Sequence, residues 1–108
     1  MSKLNLNAWG SNHKVTFETS RYCQNGNLCV KLLCWDDGYP EPWSNLTVNL
    51  GIALPSNMAF IDTNNNGEAI IDWLEKHNIG QLTGRVQTSG WCSYPEFKFN
   101  MDKIKQYM

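Results

Sequence analysis

Between His13 and Asp36 the apolar side chains recur at every second position, on either side of Asn25-Gly26. Alternation with period two is the mark of a half-buried strand. Asn-Gly supplies the positive φ that both central residues of a two-residue type I′ turn require. The segment therefore predicts a long β-hairpin that pairs Gln24 with Asn27, Cys23 with Leu28, Tyr22 with Cys29 and Phe17 with Cys34. In that register Val15, Phe17, Cys23, Leu28, Val30, Leu32 and Cys34 share a core face. Lys14, Thr16, Glu18, Ser20, Tyr22, Cys29, Lys31, Leu33 and Trp35 share the other.

Two prolines stiffen the next stretch, Asp37-Gly38-Tyr39-Pro40-Glu41-Pro42-Trp43, which reads as an irregular loop. Alternation resumes in Leu46–Leu50, a third strand with Leu46, Val48 and Leu50 inward, and Met58–Ile61 is a short fourth. The period then changes. Ile70, Trp73, Leu74 and His77 fall at i, i+3, i+4, i+7, which predicts a helix from about Gly67 to His77. Asn78 suits the left-handed position that ends it, and Ile79 the apolar contact that follows such a cap.

Leu82–Val86 and Trp91–Phe99 predict a second hairpin through Ser89-Gly90. Pro95 inside it marks an edge strand or a bulge. Asn100 can cap a short terminal helix, Met101 to Gln106. With no repeat, linker or low-complexity tract, residues 1–108 read as a single α+β domain. The expected form is a twisted antiparallel sheet of about five to six strands, with one main helix packed on one face and a short C-terminal helix.

Composition narrows the function. A formal net charge of -1 with scattered Lys and Arg leaves no basic stripe, so nucleic acid is not a favoured partner. The same near-zero balance makes too weak a field for acidic mimicry. Residues 1–7 hold no apolar core of a secretory signal, and no apolar run is long enough for a bilayer. The expectation is a cytoplasmic protein without membrane contact, whose Cys23, Cys29, Cys34 and Cys92 are thiols.

Asp62-Thr63-Asn64-Asn65-Asn66-Gly67 matches the first half of an EF-hand loop, and Asp62, Asn64 and Asn66 are candidate calcium ligands. The closing twelfth position, however, is Trp73 instead of a bidentate Glu, and the residues before the loop read as a strand. A strand end, a turn and a helix capped by Asn65 with Glu68 three residues on account for every residue of the stretch. The cysteines lack zinc-finger spacing, and Cys23 and Cys34 read as small buried hydrophobes. Neither His13 nor His77 stands beside a recognisable nucleophile signature, and the glycines form no phosphate-binding loop. No cofactor is expected.

One segment groups aromatics with carboxylates: Trp35, Asp36, Asp37, Tyr39, Glu41 and Trp43. Exposed Trp and Tyr anchor interfaces, and neighbouring carboxylates recruit basic partners, so these residues are the candidate binding site for a protein partner. Two alternatives stand beside it. Asp36, Asp37 or Glu41 could serve a small hydrolase as acid and base, and Trp35 and Trp43 could instead plug the end of the sheet.

The strings Leu33–Trp43, Asn45–Leu50 and Ala59–Gly67 resemble the bacterial domain-of-unknown-function family numbered 4313, over nearly the whole chain. The resemblance implies a small protein of gut Firmicutes, often carried with conjugative or other mobile elements. It implies no enzymatic activity.

Overall fold

The computed structural model describes residues 2–8 and 10–108. Among them the chain forms eight strands and three short helices, in the α+β class that the periodicities predict but with more strands than the five to six expected, and in two sheets instead of one. The strands divide between two antiparallel four-stranded sheets. The first is a meander of β1 (Leu4–Ala8), β2 (Ser11–Arg21), β3 (Leu28–Cys34) and β4 (Glu41–Asn45). The second is ordered β5 (Thr47–Val48), β6 (Met58–Ile61), β8 (Cys92–Phe99), β7 (Gly80–Ser89). Helices α1 (Thr63–Asn66) and α2 (Ala69–Lys76) connect β6 to β7, and α3 (Met101–Lys105) follows β8. No helix is long and apolar enough to cross a membrane among the described residues.

The first hairpin forms, but two residues out of the expected register. Phe17 faces Leu32 and Val15 faces Cys34. The strands part at Arg21 and Leu28, and residues 22–27 make a longer loop. Asn27 explains the change. Its buried side chain donates to the Ile52 carbonyl at 2.7 Å and accepts from the Leu54 amide at 3.0 Å, which draws the turn toward that segment. A slip of two preserves side-chain parity, so Val15, Phe17, Leu28, Val30 and Leu32 still reach the core. The cysteines do not follow the expectation. Cys23 leaves the strand and is exposed, Cys34 is half-buried, and Cys29 is the buried one. The unanticipated β1 completes this sheet, with Leu4 and Leu6 buried opposite Val15 and His13.

The proline-stiffened segment enters a strand at Glu41, earlier than expected. Pro42 is tolerated because β4 is an edge strand and pairs through a bulge. The chain then passes from one sheet to the other across a single residue, Leu46, which is fully buried. Its N–H donates to the Val30 carbonyl of the first sheet at 2.9 Å. Its carbonyl accepts from the Asp62 N–H, just past β6 of the second, at 2.8 Å. The expected strand Leu46–Leu50 shortens to Thr47–Val48, and Val48 and Leu50 are only half-buried.

Helix α2 buries Ile70, Ile71 and Leu74, with Trp73 and His77 along the edge of that face. The Trp73 indole N–H donates to the Asn5 carbonyl at 2.8 Å, which ties the helix to β1. Asn78, at φ 60°, ends the helix as expected. Its N–H reaches the Glu75 carbonyl at 3.0 Å, and the N–H of the buried Ile79 reaches Leu74 at 3.0 Å, the paired bonds of a Schellman cap.

The second hairpin turns on Gly90-Trp91, since Ser89 pairs with Cys92. Thr83, Gly84 and Arg85 bulge opposite Glu96. Strand β8 is internal, yet Pro95 costs it little on one side because the β6 pairing stops at Glu96. A Cβ on Gly80 would lie 2.2 Å from the Lys98 carbonyl oxygen, so this close approach of β7 to β8 requires glycine.

Leu46→Ala is expected to destabilise the fold by about 2–5 kcal/mol, as for other fully buried leucines. Leu82→Ala, at a residue 42% exposed, should stay within roughly 0.5 kcal/mol. Urea denaturation followed by circular dichroism checks both, and equal effects would remove the special place given to Leu46.

Candidate functional site

The aromatic–acidic segment follows β3 without a break. The Trp35 N–H donates to the Lys14 carbonyl at 2.8 Å, which continues the β2–β3 pairing, and the Gly38 N–H turns back to the Trp35 carbonyl at 2.9 Å. Trp35 folds over the outer face of the first sheet. Its indole N–H donates to Thr16 Oγ1 at 2.8 Å, and the Lys3 ammonium lies 4.9 Å from its ring centre. This lid covers Thr16, which is buried although it lies on the face opposite the core. Trp43, at the bulge of β4, packs on the core with its ring centre 4.6 Å from that of His13. The stretch between them, Asp37 to Pro42, faces outward, and Tyr39 is 58% exposed. The Glu41 carboxylate, as a hydrogen-bond acceptor, raises the Tyr39 phenol above its ordinary pKa.

Asp36 belongs to a different group. Its Oδ2 lies 2.5 Å from His13 Nδ1, and its Oδ1 accepts the Lys14 N–H at 3.1 Å. The bond from His13 first, and the Lys14 amide second, hold this carboxyl below its ordinary pKa. His13 Nε2 in turn lies 3.1 Å from Ser11 Oγ. Cys34 completes the cluster, because ligand atoms of His13, Cys34 and Asp36 all lie within 4.8 Å of one another. Burial, with the Asp36 and Glu41 carboxylates nearby, pushes the Cys34 thiol up.

The order Ser11–His13–Asp36 is that of a nucleophile, a base and an orienting acid. Ser11 is exposed, however, and the cavities of about 310 to 630 Å³ are lined by other residues. What the cluster can do chemically is hold a proton between imidazole and carboxylate, or share a cation among nitrogen, sulfur and oxygen.

The Asp62 stretch is a structural junction. Asp62, not Asn65, caps the helical turn α1: its Oδ1 accepts from the Asn65 N–H at 3.2 Å and its Oδ2 from Asn65 Nδ2 at 2.7 Å. Glu68 makes no capping bond, so the expected capping box does not form. Asn66 accepts from Ser44 Oγ at 2.7 Å and donates to the Asn45 carbonyl at 2.8 Å. Two of the three candidate calcium ligands are thus committed within the fold, while Asn64 is exposed. Beside them lies a cavity of about 630 Å³ lined by Tyr22, Asn45, Thr47, Asn49, Asp62 and Asn65. Burial pushes Tyr22 up to about 12, and its hydroxyl lies 3.0 Å from Thr47 Oγ1.

A helix C-terminus favours a cation, but at His77 other effects outweigh it. Burial, together with Lys76 and Lys103, lowers its pKa.

A carboxyl depressed in the native state stabilises the fold above its unfolded value, and that contribution is lost as pH falls through the native value. His13→Ala should therefore return the Asp36 titration toward the ordinary 3.8 and flatten the acid limb of the stability curve. Carboxylate NMR titration reads this directly, and an unmoved Asp36 would show that His13 is not the main cause.

Comparison with curated proteins and with solved structures finds no match. The model of the family described as Domain of unknown function (DUF4313) matches residues 16–108. That span takes in Cys34, Asp36 and the whole aromatic–acidic segment, and starts just after Ser11 and His13. With most of its length matched, from within β2 to the C-terminus, the chain belongs to the family of domain of unknown function DUF4313.

Proposed function

We propose that the chain is a non-enzymatic protein-binding module that presents the Asp37–Glu41 tip to a basic surface of a partner protein. The observation that carries this reading is the exposed Tyr39, set between Asp37 and Glu41 on a loop held at both ends. Trp35 is fixed by Thr16 and Lys3 at one end, and Trp43 by the core at the other. A loop ordered in advance gives up less conformational entropy on binding, and tyrosine is among the residues that most often dominate an interface. In this reading the two tryptophans shape the loop, and Tyr39, Asp37 and Glu41 touch the partner. The setting is the cytoplasm of a bacterium that carries the gene on a mobile element. The role is that of an accessory factor or an inhibitor of a host protein.

The hydrolase alternative draws its support from Asp36 beside His13, but Asp37 and Glu41 stand on an exposed loop, and neither lines the cavity of about 450 Å³ bordered by Pro40, Pro42 and Trp43. The calcium alternative draws on Asp62, Asn64 and Asn66, but the oxygens of Asp62 and Asn66 already serve α1 and Ser44.

Affinity capture from a bacterial lysate, followed by titration of the purified partner, tests the proposal. Tyr39→Ala and Glu41→Lys should each weaken binding by about tenfold or more. Trp91→Ala, in the second sheet, should leave it unchanged. A partner held equally well by Tyr39→Ala would overturn the assignment.

A further inference from the structure

The pairing of β2 with β3, continued two residues beyond Val15–Cys34, sets His13 beside Asp36. Strand parity then puts His13, Cys34 and Asp36 on the same face as Val15, at the end of the first sheet where the apolar core runs out. Three side chains offering nitrogen, sulfur and oxygen converge there, with ligand atoms within 4.8 Å of one another. We infer that His13 Nδ1, Cys34 Sγ and Asp36 Oδ2 form a three-ligand site for a transition metal ion of the zinc(II) class, with water in the fourth position.

The donor set selects the ion. A thiolate excludes magnesium and calcium, and an imidazole with a carboxylate beside it suits zinc or cobalt(II) better than copper(I). The geometry is close to what is needed. Bonds of about 2.0–2.3 Å in a tetrahedral ion place the ligand atoms roughly 3.3–3.8 Å apart. The 2.5 Å contact between His13 and Asp36 therefore has to open by roughly 1 Å.

The surroundings already position the ligands. The Lys14 amide holds Asp36 Oδ1 and leaves Oδ2 for the metal. Ser11 Oγ stands at His13 Nε2, so the imidazole can carry its proton on Nε2 and turn the Nδ1 lone pair inward. The Trp43 ring forms an apolar wall against the imidazole. When the metal–sulfur bond forms, the Cys34 thiol proton leaves to solvent. The imidazole binds as the neutral ring, through Nδ1, with its one proton on Nε2 facing Ser11. The site stands at the root of the Asp37–Glu41 loop, but it rests on none of the partner-binding argument and can hold or fail independently of it.

The test uses the full chain, reduced and freed of metal by a chelator. Calorimetric titration with zinc(II) should show one ion per chain. Cobalt(II) should produce a thiolate-to-metal charge-transfer band in the near ultraviolet, and zinc should raise the melting temperature. Cys34→Ser should abolish the band. Asp36→Asn and His13→Gln should each weaken zinc binding by at least about tenfold. Cys23→Ser, which removes an exposed thiol, should change nothing. Asp36→Asn alters an exposed carboxylate and keeps the test decisive if Cys34→Ser does not fold. Absence of binding at micromolar zinc, or a cobalt band that survives in Cys34→Ser, would overturn the site.

Discussion

Everything else in the fold depends on the backbone of Leu46. Its N–H belongs to the first sheet and its carbonyl to the second, and its side chain is fully buried between them. Strands that change sheets do so at bends or bulges, and here the bend is reduced to one residue. Thr47 reinforces it, because its hydroxyl accepts the Val30 N–H at 3.1 Å. Two sheets joined this closely cannot slide past one another without breaking buried backbone bonds, each of which costs more to leave unmade than it contributes when formed. The aromatic–acidic loop therefore projects from a frame of fixed geometry.

Parity was the legible part of the fold. Val15, Phe17, Leu28, Val30 and Leu32 are inward in both the expected and the observed register, since a shift of two leaves every side chain on its own face. The register itself was not legible. Asn25-Gly26 argues for a tight turn from local chemistry, whereas Asn27 is drawn away by residues 52–54, far along the chain. Strand β1 carries little signal, because only Leu4 and Leu6 alternate among polar neighbours. Strand β4 was hidden by its prolines, which an edge position tolerates.

The same two-residue shift in register assembles the His13 cluster. In the expected register His13 lies opposite Gly38, and a lone histidine at a strand start carries no signal. In the observed one it lies beside Asp36, with Cys34 adjacent. The aromatic–acidic segment could be found from composition, but not its division of labour. Which aromatic turns inward depends on Thr16, Lys3 and the β4 bulge, and none of these is local to the motif.

Strand β7 borders its sheet with no strand on its outer side among the described residues. An open edge is a template for joining another chain, and a net charge of -1 offers little mutual repulsion between molecules. Glu75 reaches from α2 to accept the Leu82 N–H at 3.2 Å, which closes one end of that edge. The bulge opposite Glu96 twists the middle, where Thr83 and Arg85 both turn to its carboxylate. The stretch of the edge beyond the bulge is Val86–Ser89. The bulge thus shortens the exposed edge of the sheet as well as accommodating a buried carboxylate.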